Sequence, residues 1–194
     1  MPVTTLDRRT ALIVIDLQQG VVALDVVHPV ADIVARAVTL ADAFREHSLP
    51  VVLVTVTGRP SGRTDRNQGA APTVSLAAQL PAGWADLVPE LTPQHDDLLI
   101  TKQTGSAFPN TGLDTALKAQ GVTQVVVVGI STSNGVESTA RSAYELGYNV
   151  TVAVDAVTDA SADHHDHSLS TALPRFAETG TTDEIIALLA STRS

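Results

Sequence analysis

The sequence contains no cysteine among its 194 residues, which excludes disulfide bonds, thiolate metal ligands and thiol nucleophiles together. Aromatic residues make up only 3% of the chain, so the core must be aliphatic, and a hydrophobic fraction of 44% is large enough to build one. No apolar stretch approaches the roughly 20 residues of a membrane span, and the N-terminus lacks the apolar segment and cleavage site of a signal peptide. These absences predict a cytoplasmic protein with no membrane partner.

Basic residues are also scarce, since 12 Lys and Arg stand against 21 Asp and Glu and the formal net charge is −9. Proteins bind phosphate backbones with clustered basic side chains, and this sequence has no such cluster. Nucleic acid is therefore not expected as a partner. The length suits a single domain over residues 1–194 with a full hydrophobic core.

Short apolar runs alternate along the chain with longer stretches of helical periodicity. The predicted strands cover residues 11–16, 51–56, 98–101, 125–129, 150–154 and, more briefly, 177–179. The predicted helices cover residues 29–47, 111–120, 135–146, 163–175 and 182–191. Strands that are apolar throughout are buried on both faces, and intervening helices form crossovers between parallel strands. The pattern predicts an α/β fold, a doubly wound (Rossmann-like) parallel sheet of about six strands flanked by helices, with its ligand beyond the carboxyl ends of the strands.

Residues 57–93 interrupt this alternation and are rich in Gly, Pro, Arg, Asn and Gln. A long irregular insertion in a small domain is usually functional, so we predict a loop or lid over the strand ends. Within it, Arg59, Arg63 and Arg66 are candidates for binding a substrate carboxylate, with solvated loop residues as the alternative. Trp84 is a candidate for lining the pocket or for anchoring the lid on a neighbouring subunit.

Two charged residues lie where predicted strands end. Partial desolvation at the end of the first strand would raise the pKa of Asp16 and suit it to general acid or base catalysis. Lys102 follows the third strand, where it could hold Asp16 ionised or stabilise negative charge on a substrate. A capping aspartate and a solvated surface lysine are the alternatives.

The turn that follows the run 125–129 gathers hydroxyl groups and glycines. The free N–H groups at the start of the next helix would bind an anionic or carbonyl oxygen there. Ordinary helix capping, with Asn134 and Glu137 as a capping pair, is compatible with that role. Glu137 and Arg141 are four residues apart on the predicted helix and are expected to pair.

Four segments in this order carry a resemblance to a known family: ALIVIDLQQG, TKQTGSAFPNTGLDTAL, GISTSNGVESTARSAYELGYNVTVAVDAVTDAS and HHDHSLSTALPRFAETGTTDEIIALL. Together they span nearly the whole chain, and the third is the most specific because its turn, helix and following strand are in register. On these segments the chain resembles the isochorismatase-like hydrolases, also called the cysteine hydrolases.

The resemblance implies a catalytic trio of aspartate, lysine and cysteine, which falls on Asp16, Lys102 and position 135, a glycine here. It also implies a non-proline cis peptide bond between Ile130 and Ser131, beside backbone N–H groups that hold an oxyanion. Candidates for binding the substrate or its oxyanion are Gln18, Trp84, Phe108, Ile130, Ser131, Thr132, Ser133 and Asn134.

Gly135 has no side chain, so a covalent intermediate at this position is impossible. Isochorismatases proper resemble this chain in having a glycine there, and their aspartate protonates the carbon of a vinyl ether before water completes hydrolysis. This chain reads IDLQ where those enzymes read HDMQ, and its turn differs at residues 131–133, which puts isochorismate itself in doubt as the substrate. No base for the hydroxyl groups of that turn is evident, so they are not expected to replace the thiol.

Metal binding is a further feature of the family, because nicotinamidases hold a metal on an Asp-x-His-like cluster after the second strand. The corresponding segment here, TVTGRPSGRTDRNQ, has no histidine. His164, His165 and His167 cluster elsewhere, and we expect them to be solvated or packed rather than to bind metal. We therefore expect no catalytic metal and no cofactor.

Two functional hypotheses follow. The first is a hydrolase of a small molecule that works without a covalent cysteine intermediate, with Asp16 as general acid or base and Lys102 as its charge partner. The second is a catalytically silent protein of the same fold that binds a small molecule or serves as a scaffold. The resemblance adds the expectation of a homo-oligomer, a dimer or higher.

Overall fold

The predicted alternation of strands and helices is present in the computed structural model, which describes residues 1–59, 74–75 and 80–192. The strands are β1 (Thr10–Ile15), β2 (Val51–Val56), β3 (Gly58–Arg59), β4 (Val74–Ser75), β5 (Leu98–Lys102), β6 (Gln124–Ile130), β7 (Asn149–Thr158) and β8 (Glu178–Gly180). The helices are α1 (Gln19–Val22), α2 (Val30–Glu46), α3 (Leu113–Ala119), α4 (Glu137–Glu145), α5 (Ala162–His167) and α6 (Thr182–Ser191).

Six of the strands form one parallel sheet in the order β5-β2-β1-β6-β7-β8. The central strand β1 pairs with β2 on one side and with β6 on the other, so that Ile13 lies opposite both Val52 and Val127. Every residue of β1 and β6 is buried, as expected for runs that are apolar throughout. The predicted doubly wound sheet of six strands flanked by helices is thereby confirmed.

The side chains of successive residues in each strand point to opposite faces of the sheet. Leu12 and Val14 of β1 pack with α2 and α6 on one face, in a cluster that includes Phe44 and Leu189. Ala11, Ile13 and Ile15 face the other side, where they belong to a cluster with residues of α3 and α4. Aliphatic side chains dominate both clusters, in agreement with the low aromatic content of the sequence.

The last part of the chain differs from the prediction of one helix over 163–175. Helix α5 ends at His167, a π-helical turn follows at Ser168–Ala172, and a 3-10 turn occupies Leu173–Arg175. Pro174 has no N–H group and fixes its own φ angle, so it cannot lie inside a regular helix. The single predicted helix is therefore wrong, although the segment does turn helically throughout.

The chain first adds β2 and β5 on one side of β1 and then crosses over to add β6 on the other side. The direction in which successive strands are added therefore reverses between β1 and β6. Loops leaving neighbouring strands at such a point run in opposite directions and open a crevice at the carboxyl edge. Close approach of β6 to β1 needs glycine at position 129, where φ is +115° and a Cβ atom would overlap the Ile15 carbonyl oxygen. The crevice is therefore built on a tightly packed pair of central strands.

The described parts of the 57–93 segment include regular structure at its base. Strand β3 pairs antiparallel with β4, and a bridge between Gln18 and Leu87 ties the end of the segment to the chain just after β1. Arg59 is exposed at the base, whereas Arg63 and Arg66 lie outside the described residues. A lid function for the segment stays a prediction. Among the described residues, no helix combines the length and apolar character needed to cross a membrane.

Candidate active site

Asp16 is the first residue after β1 and marks the point where the chain leaves the sheet. Its backbone N–H still donates to the carbonyl oxygen of Val54 at 2.9 Å, but its φ angle of 53° lies in the left-handed region. Aspartate adopts that region more readily than most residues do, at a cost of about 1 kcal/mol. The turn directs a buried carboxylate into the crevice at the carboxyl edge of the sheet.

The carboxylate of Asp16 forms an ion pair with Lys102, the last residue of β5. Oδ2 of Asp16 lies 2.8 Å from Nζ of Lys102, and the two side chains are only 8% and 2% exposed. The prediction that two charged residues at strand ends would meet is thus confirmed in geometry. Lys102 is not a solvated surface lysine, because β5 extends one residue further than predicted and buries it.

The ammonium group of Lys102 has three acceptors for its three N–H donors. Besides Asp16, it donates to the carbonyl oxygens of Thr104 at 3.2 Å and Gly105 at 2.7 Å. No donor is left over for a substrate while these contacts persist. Of the two roles predicted for Lys102, the geometry therefore favours holding the charge of Asp16 over direct contact with a substrate.

The other carboxylate oxygen of Asp16, Oδ1, is buried and has no hydrogen-bond partner among the described residues. A buried polar atom without a partner is costly and is uncommon in folded proteins. Burial raises the pKa of Asp16 from 3.8 to about 6, and Lys102 offsets only part of that rise. The site therefore holds a carboxyl group that can take up or release a proton close to neutral pH.

Gly135 lies directly against this carboxyl group. It belongs to a π-helical turn, Thr132–Val136, that connects β6 to α4, and the preceding Ile130–Ser131 peptide bond is cis, as the resemblance implied. A Cβ atom at Gly135 would lie 3.4 Å from Oδ2 of Asp16 and 2.8 Å from Cγ2 of Ile15. The structure thus brings Asp16, Lys102 and Gly135 together, although they are far apart in the sequence.

The hydroxyl groups of Thr132 and Ser133 point away from this carboxyl group to other partners. Oγ1 of Thr132 shares a hydrogen bond of 2.8 Å with Nδ1 of His165, and both side chains are buried. Ser133 donates to Oδ2 of Asp159 through its backbone N–H at 2.7 Å and its hydroxyl at 2.8 Å. A histidine and a carboxylate thus face these hydroxyls from outside the turn, where the sequence suggested no base.

The histidine next to Thr132 also packs against a second imidazole. The rings of His165 and His28 lie 4.7 Å apart between centroids. Burial lowers the pKa of His165, and the nearby His28 lowers it further. Of the three clustered histidines, His165 is buried and the neighbouring His164 and His167 are exposed. Within the described part of the chain, no group of three potential metal-binding side chains comes together.

The predicted capping pair of Asn134 and Glu137 is wrong. Neither the turn nor α4 has a side-chain cap at its start. The carboxylate of Glu137 instead accepts from the Ser168 hydroxyl at 2.7 Å and pairs with Arg141 at 3.1 Å. The pairing of Glu137 with Arg141 is confirmed, and the π-helical turn removes the geometry that a capping box needs.

Gln18 and Trp84 lie together at the base of the insertion. The amide of Gln18 donates to the carbonyl oxygens of Val56 and Trp84 and accepts from the Val56 N–H at 2.7 Å. The backbone of the chain leaves the sheet at Asp16. The Gln18 side chain then supplies to Val56, the last residue of β2, the hydrogen bonds that a neighbouring strand would otherwise make. The indole of Trp84 covers Gly20, where a Cβ atom would overlap it. Substrate contacts for both residues stay predictions.

Phe108 lies on the face of the sheet that α3 and α4 cover, where its ring packs 6.0 Å from the ring of Tyr148 in a hydrophobic cluster. The structure does not join it to the charged centre. The sequence reasoning also missed Asp159, because the predicted strand 150–154 ends well before it, whereas the observed β7 continues to Thr158 and places Asp159 directly at its end. No sequence signal pointed to the carbonyl oxygens that hold Lys102.

Comparisons with known proteins bear on the family and the fold of the chain. The family model described as isochorismatase domain matches residues 10–184. The chain is similar to YwoC of Bacillus subtilis (strain 168), an uncharacterized isochorismatase family protein, at 36% identity over 92% of this chain and 93% of that protein. The structure of an isochorismatase family protein from Burkholderia thailandensis superposes with a TM-score of 0.85 at 37% identity, covering 96% of this chain and 98% of that one.

A relative with a named activity is more distant. The ureidoacrylate amidohydrolase RutB of Pseudomonas syringae pv. syringae (strain B728a) is 30% identical over 177 residues. The alignment covers 79% of this chain and 72% of that protein.

Proposed function

Since this chain belongs to the isochorismatase family of hydrolases, we propose that it hydrolyses a small molecule without a covalent cysteine intermediate, using Asp16 as its general acid or base. The observation that carries this proposal is the unpartnered Oδ1 of Asp16, a buried atom of a carboxyl group whose pKa is about 6. General acid–base groups work best when their pKa lies near the operating pH. A substrate group or a water molecule at Oδ1 would supply the missing partner.

The glycine at position 135, which the family resemblance aligns with the nucleophilic cysteine, supports a mechanism without acyl transfer. The whole sequence lacks cysteine, so no other thiol can substitute. Gly135 has only a hydrogen atom on Cα, so it places no side chain against the neighbouring carboxyl group. The hydroxyls of Thr132 and Ser133 are hydrogen-bonded to His165 and Asp159 rather than to Asp16, so the proposal does not use them as nucleophiles.

Each direction of proton transfer gives a balanced hydrolysis. As an acid, Asp16 gives the proton on Oδ1 either to a leaving group, which then departs, or to the carbon of a vinyl ether, which becomes an oxocarbenium ion. Water adds to the resulting cation and returns a proton to Asp16, and in the vinyl ether the hemiketal so formed then expels the alcohol to leave a ketone. As a base, Oδ1 takes a proton from water while the oxygen attacks an electrophilic carbon, and the proton then passes to the leaving group. Lys102 stabilises the ionised form of Asp16 through Oδ2 in both cases.

A catalytically silent binding or scaffold protein is the second candidate, and the absence of a side chain at Gly135 favours it. The hydrolase and the silent binding protein both predict that a small molecule binds at Asp16, whereas a scaffold does not require one. They differ in whether the bound molecule is consumed.

The test is a turnover screen of the purified protein against a vinyl ether (isochorismate), an N-carbamoyl amide (ureidoacrylate) and an activated ester (p-nitrophenyl acetate), read by mass spectrometry. The proposal expects consumption of at least one class, and loss of that activity in Asp16→Asn. Binding without turnover in every class would favour the silent protein, and full activity of Asp16→Asn would contradict the proposed role of this residue.

Single turnover in H2 18O separates acid–base catalysis from attack by Asp16 itself. If the Asp16 carboxylate formed a covalent ester or anhydride with the substrate, hydrolysis would leave 18O in the peptide that contains Asp16. The proposal expects the label only in the product.

A further inference from the structure

The loop that follows β5 encloses the ammonium group of Lys102. Because the carbonyl oxygens of Thr104 and Gly105 occupy two of its three N–H donors, the position of these carbonyls fixes where the ammonium group lies. The third donor reaches Oδ2 of Asp16 at 2.8 Å. A displacement of the loop would therefore change the distance between Lys102 and Asp16.

The same loop docks on helix α4 through two close contacts. The backbone N–H of Ala107 donates to Oγ1 of Thr139 at 3.1 Å, and both residues are completely buried. Gly105 approaches the start of the helix so closely that a Cβ atom would lie 3.0 Å from Oδ1 of Asn134 and 3.1 Å from Oγ of Ser138. Both distances are shorter than ordinary van der Waals contact, so with a side chain at position 105 either the loop or these two side-chain ends must shift.

We infer that Gly105 and Thr139 are positioning residues, through which helix α4 sets the distance between the Lys102 ammonium group and the Asp16 carboxylate. The helix continues directly from the turn that carries Gly135, so one continuous segment carries Gly135 and docks the loop that holds Lys102. Neither Gly105 nor Thr139 needs to contact a substrate. The inference rests on the proposed function, because it describes how the proposed acid–base pair is held.

Two substitutions disturb the docking in different ways. Gly105→Ala introduces the close Cβ contacts, whereas Thr139→Val keeps the shape of the side chain and leaves the buried Ala107 N–H without an acceptor. Each should move the Thr104 and Gly105 carbonyls, weaken the contact of Lys102 with Asp16 and so raise the pKa of Asp16, because Lys102 lowers it. The expected rise is at least about half a pH unit.

Each substitution has a matched rescue. Ser138→Ala added to Gly105→Ala removes the contact at 3.1 Å and leaves the Ser138 Cβ at 3.4 Å, an ordinary distance, while the exposed Asn134 amide can rotate away. Thr139→Ser keeps the hydroxyl acceptor. Both rescued proteins should titrate within about 0.2 pH units of the wild type, as should the single variant Ser138→Ala.

The measurement is an NMR titration of 13C-labelled aspartate carboxyl groups, with the Asp16 resonance assigned by its loss in Asp16→Asn. A raised Asp16 midpoint in Gly105→Ala and Thr139→Val, reversed in the rescued proteins, supports the inference. An unmoved midpoint in folded Gly105→Ala and Thr139→Val proteins overturns it, and Thr139→Val decides alone if Gly105→Ala does not fold. The titration needs no substrate, so its outcome is independent of whether Asp16→Asn abolishes turnover.

Discussion

Two buried ion pairs at opposite edges of the same sheet show how a structural carboxylate differs from a candidate catalytic one. Asp97 precedes β5 at the amino edge, and its carboxylate pairs with Arg45, whose Nη2 lies 2.6 Å from Oδ2. Asp16 follows β1 at the carboxyl edge and pairs with Lys102 at 2.8 Å. The two aspartate side chains are similarly buried, at 3% and 8% exposure.

The pairs differ in how completely the carboxylate oxygens are used. Both oxygens of Asp97 accept from Arg45, and Oδ2 also accepts from the Gln94 N–H at 2.8 Å. Asp16 binds Lys102 through Oδ2 alone and leaves Oδ1 buried without a partner among the described residues. A forked guanidinium suits a closed, bidentate pair, whereas an ammonium group shared with two carbonyls leaves one oxygen free. Both aspartates are buried and paired, so it is the unpartnered Oδ1 that distinguishes the candidate catalytic Asp16 from the structural Asp97.

The largest expected difference between the two pairs is in turnover. Asp16→Asn removes the proton-transferring group and should lower kcat by about a thousandfold, within the range that general acid–base groups contribute. Asp97→Asn removes an equally buried carboxylate far from the carboxyl edge and should leave kcat within about twofold of the wild type at a temperature where it is folded. Assays of both variants on any substrate found in the screen make this comparison, and equal losses in the two would contradict it.

The next largest effect is on stability, where the larger loss is expected for Asp97→Asn rather than for Asp16→Asn. Asp97→Asn leaves the mostly buried Arg45 guanidinium with the more exposed Asp42 as its remaining anionic partner and should lower the free energy of unfolding by about 2 kcal/mol. Urea denaturation followed by circular dichroism measures this loss. Unchanged stability of Asp97→Asn would mean that the closed pair is not a structural one.

A smaller effect is expected from Lys102→Met, because it keeps the carboxyl group and removes only its charge partner. Lys102 lowers the pKa of Asp16, so its loss should raise that pKa and move the pH dependence of kcat/KM upward by about one to three pH units. Arg45→Met is the matched control and should leave the pH profile in place. A Lys102→Met profile that superposes on the wild type would show that Lys102 does not act on the Asp16 carboxyl group.

The wild-type profile itself distinguishes the direction of proton transfer. With a pKa of about 6, roughly a tenth of Asp16 is protonated at pH 7. If Asp16 acts as an acid, kcat/KM falls as the pH rises through 6, and if it acts as a base, kcat/KM falls as the pH drops through 6. A profile that is flat between pH 5 and pH 7 would contradict both directions.

The sequence was most informative where a local pattern has one structural solution. The run 125–129 consists of four valines and a glycine, which favours a buried strand, and Asp16 at the end of another apolar run was expected at the edge of the sheet. Gly135 was assigned by resemblance, and the structure places it against Asp16.

The rest depended on contacts between residues far apart in the chain. Thr132 and His165 are 33 residues apart, and nothing local predicts their hydrogen bond. The N–H donors of Lys102 are all used only because the loop at Thr104 and Gly105 folds back onto the ammonium group. The composition of the sequence does not reveal this fold. The predicted capping pair failed for the same reason, because Glu137 accepts a hydrogen bond from Ser168, which is 31 residues away in the sequence.

The central claim is that Asp16 carries an exchangeable proton near neutral pH on an oxygen left free for a substrate. The most direct measurement is the 13C carboxyl titration of the wild-type protein, in which one resonance disappears in Asp16→Asn. The account predicts that this resonance titrates with a midpoint of about pH 6. A midpoint at or below pH 4, the range of an ordinary aspartate, would contradict it.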